Sequence, residues 1–252
     1  MSLITRRRLI TAGVATAAGA TGLGVAASLS RRYGLVPPDC KGVYGPGETL
    51  TYGVRQMLGR HAMAREFDRS MISEKPFANE IAPPKDAFKK MQARGFVDWR
   101  LTVDGMVEHP MTLSLADLKS MPVHSQITEV SCEEGWSYIA EWIGTPLSNV
   151  LNAAVLKPGV KFIYYHAVEP YLWETIDVDE AMHPQTFLTM GMNDGDLPVG
   201  FGGPLRLRVP RQLGYKSLKF VTHITAVDSV KNIGKGLGSV DPEYGYSWFA
   251  GI

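Results

Sequence analysis

Between residues 99 and 224 the chain is a succession of short apolar runs cut by tight turns, and this rhythm constrains the fold more than any single residue. Trp99-Arg100-Leu101-Thr102-Val103-Asp104-Gly105 alternates as a strand into an Asp-Gly turn, and Met111-Thr112-Leu113 follows, so the pair predicts a hairpin. Ser114 is placed to cap a short helix running to Lys119. Residues 127–132 form the next strand, with Thr128, Val130 and Cys132 on one face. Thr145 is placed as the N-cap of a further helix with Pro146 at its first position, and Leu147, Val150, Leu151 and Ala154 repeat as its core face. Strands are expected over 161–165 and 186–192, with a short acidic helix over 177–182 between them. Residues 205–209 alternate, putting Leu205, Leu207 and Val209 inward and Arg206 and Arg208 on the opposite face, and a last strand opens at Gly214 and runs to Ile224. Short strands with few long helices indicate a single mixed α+β domain over residues 96–230. No internal repeat is present.

Ahead of that domain, Arg6-Arg7-Arg8 precedes an uncharged run of Ala, Gly, Thr, Val, Leu and Ser over residues 11–30. Paired arginines before a weakly hydrophobic segment read as a twin-arginine export signal over residues 1–35, either cleaved or retained as a membrane tether. Residues 36–95 form an N-terminal extension: a Pro/Gly-rich linker, a surface helix over residues 52–73 with a solvated basic face, and an irregular segment at 76–84. Residues 231–252 end in Tyr244-Gly245-Tyr246-Ser247-Trp248-Phe249, an aromatic density that predicts packing on the domain. With a net charge of +1 the chain has no bulk field for nucleic acid, so anion binding must come from a local cluster.

Two clusters could carry chemistry. Cys132 lies where a strand runs into a polar loop. A soft thiolate there is a metal ligand, but no second Cys or His stands at metal-ligand spacing, so zinc and iron–sulfur sites are short of donors. What remains is a metal that brings most of its ligands on a cofactor, or a Cys40–Cys132 disulfide in a non-enzymatic exported anion-binding module. The second cluster is Arg206, Arg208, Arg211, Lys216 and Lys219 among Gly202, Gly203, Gly214 and Ser217. It reads as an anion cradle, or as the solvated face of a strand.

Four ordered motifs sharpen this: Ser131-Cys132-Glu133-Glu134-Gly135-Trp136, Trp142-Ile143-Gly144-Thr145-Pro146-Leu147, Gly203-Pro204-Leu205-Arg206-Leu207-Arg208-Val209-Pro210, and Gly214-Tyr215-Lys216-Ser217-Leu218-Lys219. In order and spacing they resemble the molybdopterin-binding domain of the sulfite oxidase family. The resemblance implies a molybdenum–molybdopterin cofactor with Cys132 as the one protein ligand to molybdenum. It further implies that Arg206, Ser217, Leu218 and Lys219 hold the pterin phosphate, that Ala167 offers a main-chain contact, and that Asn79 and Glu80 belong to an N-terminal contact segment. Phe201 departs from the family, which has a polar residue there. Tyr171 resembles an active-site tyrosine; its alternative is a turn aromatic packed on the surface. His166 and Glu133 are candidates for shaping the surroundings of the thiolate, although a histidine on a strand is more often a satisfied core residue.

The activity so implied is two-electron oxo transfer on a small sulfur-type substrate in the periplasm: sulfoxide reduction, as in protein methionine-sulfoxide reductase catalytic subunits, or sulfite oxidation. A sulfite site gathers arginines, whereas a sulfoxide site is less charged with room for a methionine side chain. With no Cys-x-x-Cys-His run and no nucleotide fingerprint, electrons must come from a separate redox partner, a membrane haem protein or a cytochrome. The expected state is a monomeric subunit.

Overall fold

The computed structural model describes residues 35–39, 45–79, 86–168 and 172–252. The expected export segment, along with Cys40, Glu80 and Tyr171, lies outside the described residues. Among those described, no helix is long and apolar enough to cross a membrane.

Two five-stranded sheets carry the domain. In the first, β1 (Arg100–Gly105), β2 (Met111–Ser114), β5 (Phe162–Ala167), β6 (Trp173–Asp177) and β10 (Val221–Val227) lie in the order β2-β1-β10-β5-β6. Only the β1–β10 pair is parallel. In the second, β3 (His124–Ser131), β4 (Ser137–Pro146), β7 (Phe187–Met192) and β8 (Gly195–Asp196) follow in order, and β9 (Arg206–Arg208) pairs with β7. One apolar core joins them, drawing Leu101 and Val103 from β1, Ile163 and Tyr165 from β5, Leu188 from β7 and Ile224 from β10. At Gly144 on β4 a side chain would lie 2.1 Å from the Leu188 carbonyl oxygen, so only glycine allows β7 to come this close.

The helices are short. Two precede the sheets, α1 (Gly45–Leu58) and α2 (Asp86–Ala93). The expected hairpin is β1–β2, and Ser114 caps α3 (Leu115–Ser120) in a reciprocal box with Asp117. In α4 (Leu147–Ala154) the residues Leu147, Val150, Leu151 and Ala154 are all fully buried, as their spacing required. Asp177 caps α5 (Val178–Ala181) through a 2.7 Å bond from the Glu180 amide.

Several expectations need correction. The helix predicted over 52–73 is α1, which ends at Leu58 before Gly59, and the chain beyond it is irregular apart from a 3₁₀ turn at Arg69–Met71. Its arginines are not simply solvated: Arg55 bonds Glu180 at 3.0 Å and Arg60 bonds Asp179. Pro146, not Thr145, caps α4, because β4 continues through Thr145 to meet β7. The alternation Tyr138, Ala140, Trp142 belongs to β4, a strand the sequence reading passed over. The last strand starts at Val221, since Gly214–Lys216 is a 3₁₀ turn. Arg206 and Arg208 do not lie on an open face; all of β9 is buried between its neighbours.

Beyond β10 the chain returns over the first sheet. Trp248 packs edge-on against Tyr52 of α1, its indole donates to Thr175 at 2.7 Å, and its amide donates to Asp39 at 2.6 Å. At the other end of α5, Glu180 receives Arg211 in a two-pronged pair at 3.0 and 2.8 Å, both side chains being buried. The third arm of Arg211 donates to the carbonyls of Arg60 and Ala62. Removing Arg211 would leave the buried Glu180 with Arg55 as its one cation among the described residues, and its other oxygen without a charged partner. Arg211→Met is therefore expected to cost ~3 kcal/mol in urea unfolding, and Arg211→Met with Glu180→Met less than the sum of the single changes.

Candidate active site

Cys132 follows the last residue of β3, and its placement comes from a tight connection to β4. Its amide donates to Trp136 O at 2.9 Å and its carbonyl accepts from Gly135 at 3.1 Å. The side chain is 9 % exposed and carries a free thiol, so the disulfide alternative fails at this residue. The thiol donates to Glu133 Oε2 at 3.2 Å. Burial, and after it the carboxylates of Glu133 and Glu134, push this thiol up to about 12. Among the described residues no three His, Cys, Asp or Glu side chains converge as a metal cage. A metal here must therefore bring its other ligands with it.

The thiol opens onto a cleft of about 130 Å³. Four stretches distant in sequence build its wall. Phe77, Ala78 and Asn79 come from the segment before α2, Glu133, Trp136 and Tyr138 from the β3–β4 turn, Leu172, Trp173 and Glu174 from the start of β6, and Val240 and Asp241 from the tail. Phe201, Arg206, Gly214, Tyr215, Ser217, Leu218 and Lys219 complete it.

Two of the lining residues are buried cations. Arg206 donates from Nε to Ser217 O and from Nη1 to Phe201 O, both at 3.0 Å, and its guanidinium sits over the Trp142 ring. Lys219 Nζ donates to Gly200 O at 2.6 Å and Asn79 O at 3.2 Å. Neither has a carboxylate partner among the described residues. Burial, and then Arg206, push Lys219 down to about 7, and burial also lowers Arg206. Gly202, at φ +104°, lets the Lys219 backbone approach: a Cβ there would lie 3.0 Å from the Lys219 Cα. Two desolvated cations held by neutral carbonyls form a site for an anion.

The rest of the expected cradle has other partners. Arg208 donates to Ser217 Oγ at 3.1 Å and to the Glu129 carbonyl, and burial lowers it to about 9. Arg211 belongs to Glu180, and Lys216, fully buried, bonds Glu174 at 2.5 Å. None of these three lines the cleft. Asn79, Cys132, Arg206, Ser217, Leu218 and Lys219 do converge there, although they are spread over 140 residues of chain. Ala167 does not line it. Buried in β5, it donates its amide at 2.8 Å to Leu172 O, whose side chain does. The Phe201 departure is absorbed by its main chain, which accepts from Arg206. Glu133 touches the thiol, whereas His166 lies half-buried beside His223, with ring centroids 4.8 Å apart, away from the cleft. Sequence reading missed Glu174 and Asp241, which no local pattern marks.

Comparison with known proteins accounts for this arrangement. A candidate protein-methionine-sulfoxide reductase subunit, YedZ1, from Azospira oryzae is 31% identical over 189 residues, covering 75% of this chain and 68% of that protein. The protein-methionine-sulfoxide reductase catalytic subunit MsrP of Ralstonia nicotianae is 34% identical over 145 residues, 52% of this chain and 44% of that one. The chain thus spans less than half the length of that relative. The crystal structure of the sulfane dehydrogenase SoxCD from Paracoccus pantotrophus shares the fold, with a TM-score of 0.51 at 21% identity over 68% of this chain and 47% of that one. The profile of the oxidoreductase molybdopterin binding domain matches residues 88–233, more than half of the chain. From the thiol, the paired cations and this match together, the chain belongs to the oxidoreductase molybdopterin-binding domain family, as an enzyme of the sulfite oxidase type.

Proposed function

We propose that the protein reduces sulfoxides, methionine sulfoxide in particular, as the exported catalytic subunit of a two-component system. The observation carrying this is the convergence of Cys132, Arg206 and Lys219 on one cleft whose remaining wall includes Phe77, Trp136, Tyr138, Trp173, Phe201 and Tyr215. These residues fit a molybdenum–molybdopterin cofactor on their own chemistry. Cys132 offers one soft sulfur, and among the described residues no group of three His, Cys, Asp or Glu side chains gathers to hold a metal by itself. Arg206 and Lys219 are desolvated cations short of an anion, which a pterin phosphate supplies. When bound, such a group supplies two-electron oxygen-atom transfer. The protein's part is to hold it and shape the space in front of it. Ser217 and Leu218 would contribute main chain beside Arg206, and Asn79, with Glu80 next to it, would close the phosphate end. Glu133 would stand beside the metal-bound sulfur. Tyr171 would reach the substrate, and Ala167 would act through its main chain on the Leu172 wall.

Lining charge favours a neutral substrate. Phe77, Trp136, Tyr138, Leu172 and Phe201 give an apolar pocket suited to a thioether side chain, and the Glu133 carboxylate beside the thiol would repel sulfite. Sulfite oxidation is therefore the second reading. In the proposed organisation residues 1–35 direct twin-arginine export, 36–95 form an extension, 96–230 carry catalysis and 231–252 cover it. Electrons would arrive from a separate haem protein, since the chain has no haem-attachment motif and two cysteines in all. We expect a monomeric subunit.

Protein purified from a molybdenum-sufficient host should contain molybdenum and, once reduced, turn over methionine sulfoxide faster than the oxidised form turns over sulfite; absence of metal and pterin fluorescence would sink the proposal. Cys132→Ser should lose the sulfur-ligation signature of the metal and the turnover together. Arg206→Met and Lys219→Met should each lower cofactor retention by about tenfold or more, measured as molybdenum per chain after gel filtration, a loss on the scale of one charge-assisted bond of ~1.5–3 kcal/mol.

A further inference from the structure

The tail brings a second carboxyl to a place where only one is neutralised. Glu174 at the start of β6 is 1 % exposed, bonds the fully buried Lys216 Nζ at 2.5 Å, and accepts from Ser239 Oγ. Ser239 also stands 3.5 Å from Asp241 Oδ2, and its hydroxyl accepts from the Asp241 amide at 3.2 Å. The Glu174 and Asp241 carboxyls therefore meet at the one Ser239 hydroxyl. The two neighbouring carboxyls thus share one cation, and like charges this close in a largely buried place oppose each other's ionisation. Glu174 takes the lysine, a hydroxyl and the Thr175 amide, so the proton falls to Asp241. The other ionisable groups facing Asp241 do not relieve it. Tyr215 and Tyr165 are phenols whose own ionisation the same carboxylates oppose, and the Tyr215 hydroxyl is committed to Ser247 O. Burial, and then Glu174, raise Asp241 to about 8.

We propose that Asp241 is the proton donor of the cleft, giving its carboxyl proton to the oxygen that leaves a sulfoxide substrate. The inference rests on the sulfoxide-reducing reading above. In that reaction the sulfur–oxygen bond breaks and the oxygen departs as water. The molybdenum–molybdopterin group, when bound, would supply the two electrons that sulfur takes up, and the separate redox partner would replace them. Two O–H bonds form, one with the proton of Asp241 and one with a proton from solvent at the mouth of the cleft. Asp241 is then reprotonated from solvent. It is the only carboxyl among the described lining residues free of both a cation and the Cys132 sulfur. Glu133 is at the thiol and Glu174 is tied to Lys216.

Two measurements test this. Difference infrared spectroscopy of the protein, without turnover, should show a protonated carboxyl band at neutral pH that fades as pH rises past about 8 and is missing in Asp241→Asn. In the holoenzyme, Asp241→Asn should lower kcat for methionine sulfoxide ~100-fold with little change in KM or molybdenum content, the scale of lost general-acid catalysis. Asp241→Glu should recover part of it. Wild-type kcat should fall above pH 8 and the Asn variant's should be flat there. A missing band, or an Asn variant with wild-type kcat and pH profile, overturns the Asp241 assignment alone. A wild-type holoenzyme that reduces no sulfoxide overturns the functional reading and this donor role with it.

Discussion

The cost of burying cations governs this structure. Arg206, Arg208, Arg211, Lys216 and Lys219 lie within fourteen residues of one another, and all are buried. Each needs a partner that repays desolvation. Arg211 and Lys216 find carboxylates, Glu180 and Glu174, which reach them from α5 and β6. Arg208 fastens the Glu129 carbonyl of β3 to Ser217, tying the strand that leads to Cys132 to the segment that leads to Lys219. Arg206 and Lys219 receive only neutral carbonyls and face the cleft. The same requirement that ties β3, β6 and α5 to this stretch therefore leaves one charged patch unfinished, and that patch is where we propose the cofactor phosphate sits.

The thiol and the patch face each other because β9 and the 3₁₀ turn at Gly214–Lys216 pass directly under the end of β3. A Cβ at Gly214 would lie 3.4 Å from Ser131 O and 3.6 Å from Cys132 Cα. The chain after β9 is thus a floor for the β3–β4 turn as well as the source of the cations. The tail closes the opposite side. Trp248 anchors it against Tyr52, Phe162 and Thr175, and Ser239 and Asp241 are held over Glu174. A segment with little regular structure thereby contributes to the site, because its ordering is supplied by one buried aromatic anchor and a few bonds to β6.

Much of the fold was legible because strands and caps are local. The β1–β2 hairpin, the Ser114 box and the buried face of α4 follow from two-residue and 3.6-residue periods that any chain displays in its own order. The misses have equally specific causes. Thr145 was an attractive cap until β4 ran through it, since pairing with β7 outweighs one side-chain bond. The arginines of β9 looked solvent-facing because alternation predicts two unlike faces, and that holds only when one face meets water.

By itself, the sequence determined that the chain would be a short-stranded α+β domain, that a single soft sulfur would end one strand, and that cations and glycines would crowd one later stretch. These are properties of residue type and near-neighbour spacing. Only the tertiary structure decided which cations are neutralised and which are left for a ligand, and that Asp241 in the tail meets Glu174 beside the cleft. Those outcomes depend on which groups are desolvated together, and desolvation is set by contacts between segments far apart in the chain, which no local pattern records.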